Sequence, residues 1–434
     1  MNDNMKSICV IGLWHLGLIN CVGFADLGIR VIGLDFNKKI ISDLQKGKPP
    51  IYEPGLEERI IKHTRLKRLH FSSKAIDVSL VEYVIIAYDS PVNEKDEVDI
   101  SPVINAIKKI APYLKSHTPV IITSQIPLGT SEKAEVLIRK LNKSWESGVV
   151  YIPENLKLGV AIERFIHPDM LVFGGKNAVV LRKVLDLYQS IDTKKFVMDK
   201  SSAEMVKHAL NTYLATSIAF GNEIAHLCEK LGADAFLVGK ALKADKRIGQ
   251  APILPGLGFS GGTLARDVKQ LLKFSRQYRY KAQLLKSIFS INESTFEQII
   301  LKTIRRIGNL KGKTIGFLGL TYKPGTSTLR RSSAIKLINL FINKGAQCLA
   351  YDPKVDKNEF RSYSKIIKKV ANVYELAKKS DILLLVTEWP EFKNLNYNSL
   401  AKNMKKPIII DTKNFLDSEI IKKSGFIYEG YGRR

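Results

Sequence analysis

Short apolar runs rich in β-branched residues alternate with longer amphipathic stretches, and this alternation constrains the chain more than any other feature. Ser7–Ile11, Arg30–Leu34, Tyr83–Ala87, Val120–Thr123 and Val149–Ile152 read as buried strands. Between them, Val103–Tyr113 and Thr130–Leu141 carry helical spacing. Strands that alternate with helices imply an α/β fold with a parallel sheet wound on both faces. The character changes near residue 198. Ser201 to Leu231 holds no proline and a single glycine, Gly221, while Val206, Leu210, Leu214, Ile218, Ile224 and Leu227 recur with helical spacing. A helix of that length needs partners, so it is expected to be the hub of the molecule and a candidate dimer surface. More helix is expected from Asp267 to about Ile307, after a glycine-rich loop. The alternation then returns, with strands at Lys313–Leu318, Gln347–Tyr351, Asp381–Val386 and Pro407–Ile410 and a helix at Ser332–Lys344.

The chain has 434 residues, too many for one ordinary core. Hydrophobic residues make up 45% and charged residues 25%, a globular balance. No apolar run approaches the roughly 20 residues of a membrane helix. Met1–Lys6 leads straight into the first strand without a basic and then apolar leader, so a cytoplasmic location is expected. Cys9, Cys21, Cys228 and Cys348 lie far apart with no CxxC pair, which argues against a disulfide framework or a zinc site. The formal net charge is +26. Such a chain is able to bind nucleic acid. Its lysines are nonetheless scattered in pairs, as at Lys38-Lys39 and Lys368-Lys369, with no basic arm, so a solvated surface is the favoured reading. Positive charge also suits a phosphate-bearing small substrate.

Gly12-Leu-Trp-His-Leu-Gly17 follows the first strand directly. A strand, a tight glycine turn and a helix set backbone N–H groups against a pyrophosphate. Asp35 stands at the end of the second strand, 18 residues after Gly17, where an acid binds the adenosine ribose hydroxyls and favours NAD over NADP. The middle glycine of the GxGxxG pattern is Trp14, so its bulky side chain must turn away or the cofactor must sit differently. The alternative is a Rossmann-shaped turn that binds nothing.

Beyond Asp35, Gly47-Lys-Pro-Pro-Ile-Tyr-Glu53-Pro-Gly-Leu56 resembles the loop after the second strand in the UDP-glucose/GDP-mannose dehydrogenase family. Similar matches follow in order: Ser90-Pro91 with Asp99, Ser124-Gln-Ile-Pro-Leu-Gly-Thr130, Pro153-Glu154 to Gly159, and Ala203-Glu204 to Asn211. They continue with Asn222-Glu223, Asp245 to Gly249, Gly258 to Asp267, Leu318 to Arg330, Tyr351-Asp-Pro353, Thr387-Glu-Trp389 and Asp411 to Asn414. The resemblance implies two Rossmann-like parallel-sheet domains joined by a long central helix and a helical middle. The expected bounds are 1–198 for NAD binding, 199–307 for dimerisation and the active site, and 308–434 for the nucleotide sugar.

Lys207 and Asn211 share one helix face and are able to hold a developing alkoxide where a substrate carbon loses hydride; an ordinary helix surface is the plain alternative. Gly256–Gly262 holds four glycines in seven residues, enough to wrap a sugar or a phosphate, or to be a flexible loop. The resemblance implies catalytic roles for Glu154, Lys207, Asn211, Thr263 and Asp267. It implies cofactor contacts at Gly12, Trp14, Gly17, Asp35, Ser124 and Arg330, and substrate contacts at Glu154, Arg247, Phe259, Gly261 and Lys323. Arg247 would reach a neighbouring subunit's pocket, which implies at least a homodimer. Surface charge is the alternative for Lys323 and Arg330. The implied substrate is a nucleotide sugar, with a UDP-sugar as first expectation, and the implied cofactor is NAD; no metal, membrane or nucleic-acid partner is expected.

Three departures concentrate on the second half of the family's chemistry. Members that make uronic acids trap an aldehyde on a cysteine, and that position is Thr263 here. A hydroxyl has no accessible anion near neutral pH without a strong base beside it, and an ester is harder to cleave than a thioester. Gln125 stands where a threonine helps to hold the hydrolytic water, and Leu158 replaces a glutamate. The expectation is an oxidation of the sugar alcohol, either halted after one hydride transfer or completed with Asp267 or Glu154 activating water on a hydrated aldehyde, with a degenerate nucleotide-binding relative as the alternative.

Overall fold

The computed structural model describes residues 6–89, 98–156, 158–259 and 263–433; Ser90, Pro91 and Gly261 lie outside the described residues. The chain divides into two compact units, Met1–Ala209 and Leu210–Arg434, and the division falls within the helix Lys200–Leu231.

The first unit is built on eight strands, β1 (Ser7–Ile11), β2 (Arg30–Leu34), β3 (Leu69–Ser72), β4 (Tyr83–Ile86), β5 (Val120–Ile122), β6 (Val149–Tyr151), β7 (Leu171–Gly174) and β8 (Lys195–Met198). Their spatial order is β3-β2-β1-β4-β5-β6-β7-β8. Neighbours are parallel except β6 and β7, which run antiparallel through Tyr151 and Gly174. Alternate residues of β1 feed opposite faces: Ile8 and Val10 join one apolar cluster, Cys9 and Ile11 the other. The winding reverses between β1 and β4, so the turns leaving these two strands lie side by side. In sheets of this kind ligands bind at that switch point, outside the carboxyl ends of the strands.

The second unit carries a six-stranded parallel sheet of β9 (Thr314–Leu318), β10 (Gln347–Tyr351), β11 (Lys368–Lys369), β12 (Ile382–Leu385), β13 (Ile408–Asp411) and β14 (Ile427–Gly430). Its order is β11-β10-β9-β12-β13-β14. The expected α/β class with two parallel sheets and a helical middle is therefore found.

The expected run of helix from Asp267 to Ile307 is two helices, Leu264–Gln277 and Gln283–Ile307. The break is a helix-ending motif in which Arg279 adopts a left-handed φ of 56°. Tyr280 N donates to Ser275 O at 2.7 Å and Arg279 N to Arg276 O at 3.1 Å. Glycine is the usual residue at such a cap, and an arginine there leaves no visible stop in the sequence.

Candidate active site

In the first unit the turn after β1 has a compulsory shape. Gly12 has φ of 95°, and a Cβ on Gly17 would stand 1.8 Å from the Gly12 carbonyl oxygen. Trp14, between them, keeps ordinary extended backbone, and its side chain is 46% exposed. The bulky residue at the motif's middle position has thus turned out towards solvent. Asp35 is buried, and its carboxylate accepts from Leu13 N and from Asn37 N, each at 2.8 Å. It therefore ties the glycine turn in place, with oxygen lone pairs left for hydroxyl donors.

Two acids that the sequence did not single out complete this corner. Glu53 is buried and accepts from Gly159 N and Ala161 N at 2.8 Å, and its carboxylate pairs with His15 Nε2 at 2.9 Å. It binds the helix His15–Asp26 to the loop after β6. Asp89, just past β4, accepts from Leu16 N at 3.1 Å. Burial, together with the Glu154 charge, pushes its carboxyl up to about 6 against the pull of His15 and the Leu16 hydrogen bond. Asp89 had one available signal: it stands at the carboxyl end of the strand beside the switch point.

The loop after β6 carries Glu154, whose carboxylate accepts from Leu156 N. Lys207 is buried, and its ammonium donates to the Glu154 carbonyl and to Asn155 Oδ1, the latter at 3.4 Å. Sequence-distant Glu154 and Lys207 are thus brought together. Ser124 is fully buried, its hydroxyl donating to Ile86 O at 3.4 Å. One turn before Lys207, Glu204 accepts from Gly129 N at 2.5 Å and Ser131 N at 2.9 Å, which anchors the start of the long helix.

In the second unit Asn211 donates through Nδ2 to Asp267, and both are buried. Thr263 is the exposed residue that opens the helix Leu264–Gln277, and its carbonyl accepts from Asp267 N at 3.2 Å. The Thr263 hydroxyl therefore sits at a helix N-terminus, one turn before a buried carboxylate. The four cysteines instead lie in apolar clusters, where burial pushes the Cys348 thiol up to about 12 and raises Cys9 and Cys21 further.

The glycine loop before Thr263 is held by three asparagines. Asn222 Oδ1 accepts from Gly256 N at 3.0 Å, Asn414 Nδ2 donates to Pro255 O at 3.1 Å, and Asn292 Nδ2 donates to Phe259 O at 3.0 Å. A Cβ on Gly258 would meet Asn292 Oδ1 at 2.2 Å. The Phe259 ring is buried against Phe289, with centroids 6.2 Å apart, so this side chain packs in the core and its carbonyl serves the loop. Arg247 extends into solvent, paired with Asp245 at 2.6 Å. The loop after β9 repeats the construction of the first unit. Gly319 has φ of 92°, and Asp352 past β10 accepts from Leu320 N at 2.7 Å and Thr321 N at 2.9 Å. Lys323 lies in this loop, and Arg330 is exposed near its end.

Among the described residues no helix is long and apolar enough to cross a membrane, and no group of three or more His, Cys, Asp or Glu could hold a metal ion.

Comparison with known proteins agrees along the whole chain. Models of the UDP-glucose/GDP-mannose dehydrogenase family match as the NAD binding domain over residues 6–192, the central domain over 201–294 and the UDP binding domain over 316–418. The UDP-glucose 6-dehydrogenase TuaD of Bacillus subtilis is 32% identical, covering 99% of this chain and 94% of that protein. The UDP-glucose 6-dehydrogenase of Rhizobium meliloti is 34% identical, with coverage of 98% and 99%. The solved UDP-glucose dehydrogenase of the archaeon Pyrobaculum islandicum superposes with a TM-score of 0.91 at 30% identity, covering 100% of this chain and 99% of that one. With the three domains in order and an NAD-binding domain at their head, the chain belongs to the UDP-glucose/GDP-mannose dehydrogenase family of NAD-dependent nucleotide-sugar dehydrogenases.

Proposed function

We propose that this chain oxidises an alcohol carbon of a nucleotide sugar, a UDP-sugar by preference, and stops after a single hydride transfer. The observation that carries the reading is Thr263, a hydroxyl at the head of a helix where the covalent trap for an aldehyde would need a thiolate. The NAD cofactor of the family fits the turn after β1. Gly17 presents no Cβ, Trp14 faces outwards, and the first N–H groups of the helix His15–Asp26 have no intrahelical acceptor. Bound there, NAD would supply the acceptor for the hydride.

The chain's own residues do the rest. In the first unit, Lys207 is buried and already donates to oxygen, which suits it to hold the alkoxide as the C–H bond breaks. In the second unit, Asn211 and Asp267 form a buried pair that fixes the amide. The balance is one alcohol and one NAD⁺ giving one aldehyde or ketone, one NADH and one proton. Glu154, Arg247, Phe259, Gly261 and Lys323 are proposed to meet the sugar nucleotide, and Ser124 and Arg330 the cofactor. The buried Phe259 ring favours contact through its backbone. Arg247, exposed on a salt bridge to Asp245, is suited to a second copy's pocket. The division of labour over 1–198, 199–307 and 308–434 belongs to the same reading.

The test is the stoichiometry of NADH against nucleotide sugar, with purified protein, excess NAD and limiting sugar. One NADH per sugar is expected. Two would mean a complete oxidation to the acid and would sink the argument from Thr263. None across a panel of nucleotide sugars would favour the second reading, a binding relative without turnover, to which the departures at Trp14 and Thr263 also point.

A further inference from the structure

We propose that Asp89 competes with the dinucleotide for the head of the helix His15–Asp26, its carboxylate holding the Leu16 amide that a bound phosphate needs, and so sets how tightly this chain holds NAD. The inference rests on the reading that the cofactor's pyrophosphate sits on the turn Gly12–Gly17.

The helix has no cap of its own. Trp14 at its N-cap supplies no side-chain hydrogen bond, and its first turn contains no acidic residue. The cap comes instead from Asp89, which reaches Leu16 N at 3.1 Å from across the switch point. Those first-turn N–H groups, with the positive end of the helix dipole behind them, are the donors a pyrophosphate uses. Two anions cannot share one donor without repulsion. Part of Asp89 reaches solvent, so its side chain can yield the amide by rotating, without moving a strand or the turn.

Charge around Asp89 sharpens the competition. Among the described residues, His15 attracts it and Glu154 repels it; further along the same corner stand Asp35, tied to Leu13, and Glu53, tied to His15. With its carboxyl up to about 6, Asp89 is neutral in mildly acidic solution and charged at pH 8. The sign follows. A neutral carboxyl does not repel a phosphate, so NAD is held more tightly below pH 6, and affinity falls as pH rises through that value. His15 lies beside Asp89, and His15→Gln separates its own contribution in the test.

The experiment titrates NAD into the full chain by calorimetry at pH 5.5 and pH 8, using the wild type, Asp89→Asn, His15→Gln and Asp35→Asn. Asparagine can still accept from Leu16 N, so the helix keeps its cap. At pH 8 Asp89→Asn should bind NAD about tenfold more tightly than wild type, the effect of removing one neighbouring like charge. Its affinity should also be nearly flat in pH, while His15→Gln keeps the wild-type slope. If Asp89 were merely a structural cap, Asp89→Asn would leave NAD affinity unchanged at both pH values. The proposal is overturned if Asp89→Asn binds NAD no more tightly at pH 8. It also falls if the wild type is flat between the two pH values, or if the slope vanishes in His15→Gln. Asp35→Asn separates the two levels. If it leaves NAD affinity untouched, the reading of the turn as the cofactor seat is wrong. If it weakens NAD while Asp89→Asn changes nothing, only the role of Asp89 fails.

Discussion

Thr263 and Asp267 are one helical turn apart, and Asp267 is pinned by Asn211. The helix N-terminus behind Thr263 does little for an alcohol, whose pKa is too far from neutrality. For a thiol the same position is enough to favour the thiolate. Thr263→Cys should therefore move the product ratio from one NADH per sugar towards two, measured at limiting sugar. A variant that binds NAD yet leaves added aldehyde untouched would show that Gln125 or Leu158, and not Thr263, sets the limit. At this scale residue type and motif pointed in the sequence to Lys207, Asn211, Asp267 and the altered Thr263, and the fold sets Lys207 on the Glu154 carbonyl and Asn211 on Asp267. The sequence hid residues whose importance depends on a distant partner. Asn292 is one polar position within a long helix until the fold brings Phe259 O to it. Asp89 looks like a loop acid until β4 is placed beside β1.

Among elements, the 32-residue helix Lys200–Leu231 bears a single glycine, and the structure gives the reason. A Cβ at Gly221 would lie 2.2 Å from Ile253 O and 2.8 Å from its carbonyl carbon, both main-chain atoms. The segment from Ile253 leads into the asparagine-clamped loop, so it has little freedom to retreat. Gly221→Ala is expected to cost roughly 1–3 kcal/mol through this overpacking, more than offsetting alanine's better helix propensity. A thermal melt checks it, and an unchanged melting temperature would mean that the contact relaxes freely. Strand assignment from sequence worked where both faces of a strand are buried, because such strands read as apolar runs. Of the strands that escaped it, β3, β8, β11 and β14 all lie at sheet edges. The two residues of β11 are exposed lysines with no apolar signal, and β8, Lys-Phe-Val-Met, is apolar but only four residues long and half wet. The missed strand β7, Leu171–Gly174, is apolar and short, and its antiparallel contact with β6 breaks the expected rhythm.

For the molecule as a whole, the class of fold followed from the return of strand–helix alternation after the helical middle, and the order of the motifs specified the family. Neither depends on whether the site still turns over. Ligand linkage asks instead whether the chain still binds its cofactor. NAD at about 100 times its dissociation constant adds about 2.7 kcal/mol to the state that binds it. On a unit the size of Met1–Ala209 this is roughly a 5–10 °C rise in melting temperature. A melt that does not respond to saturating NAD would place the chain with the non-turnover reading. The tie between Asp35 and Leu13, repeated by Asp352 and Leu320, also alters what such an acid testifies to. Each carboxylate is already employed by its own backbone, so natural selection would keep it in a descendant that had lost every ligand. In this architecture the acid after the second strand serves the fold whether or not it also serves a ligand. A diagnosis of cofactor use must come from residues that the turn itself has no need of, and Trp14 is one.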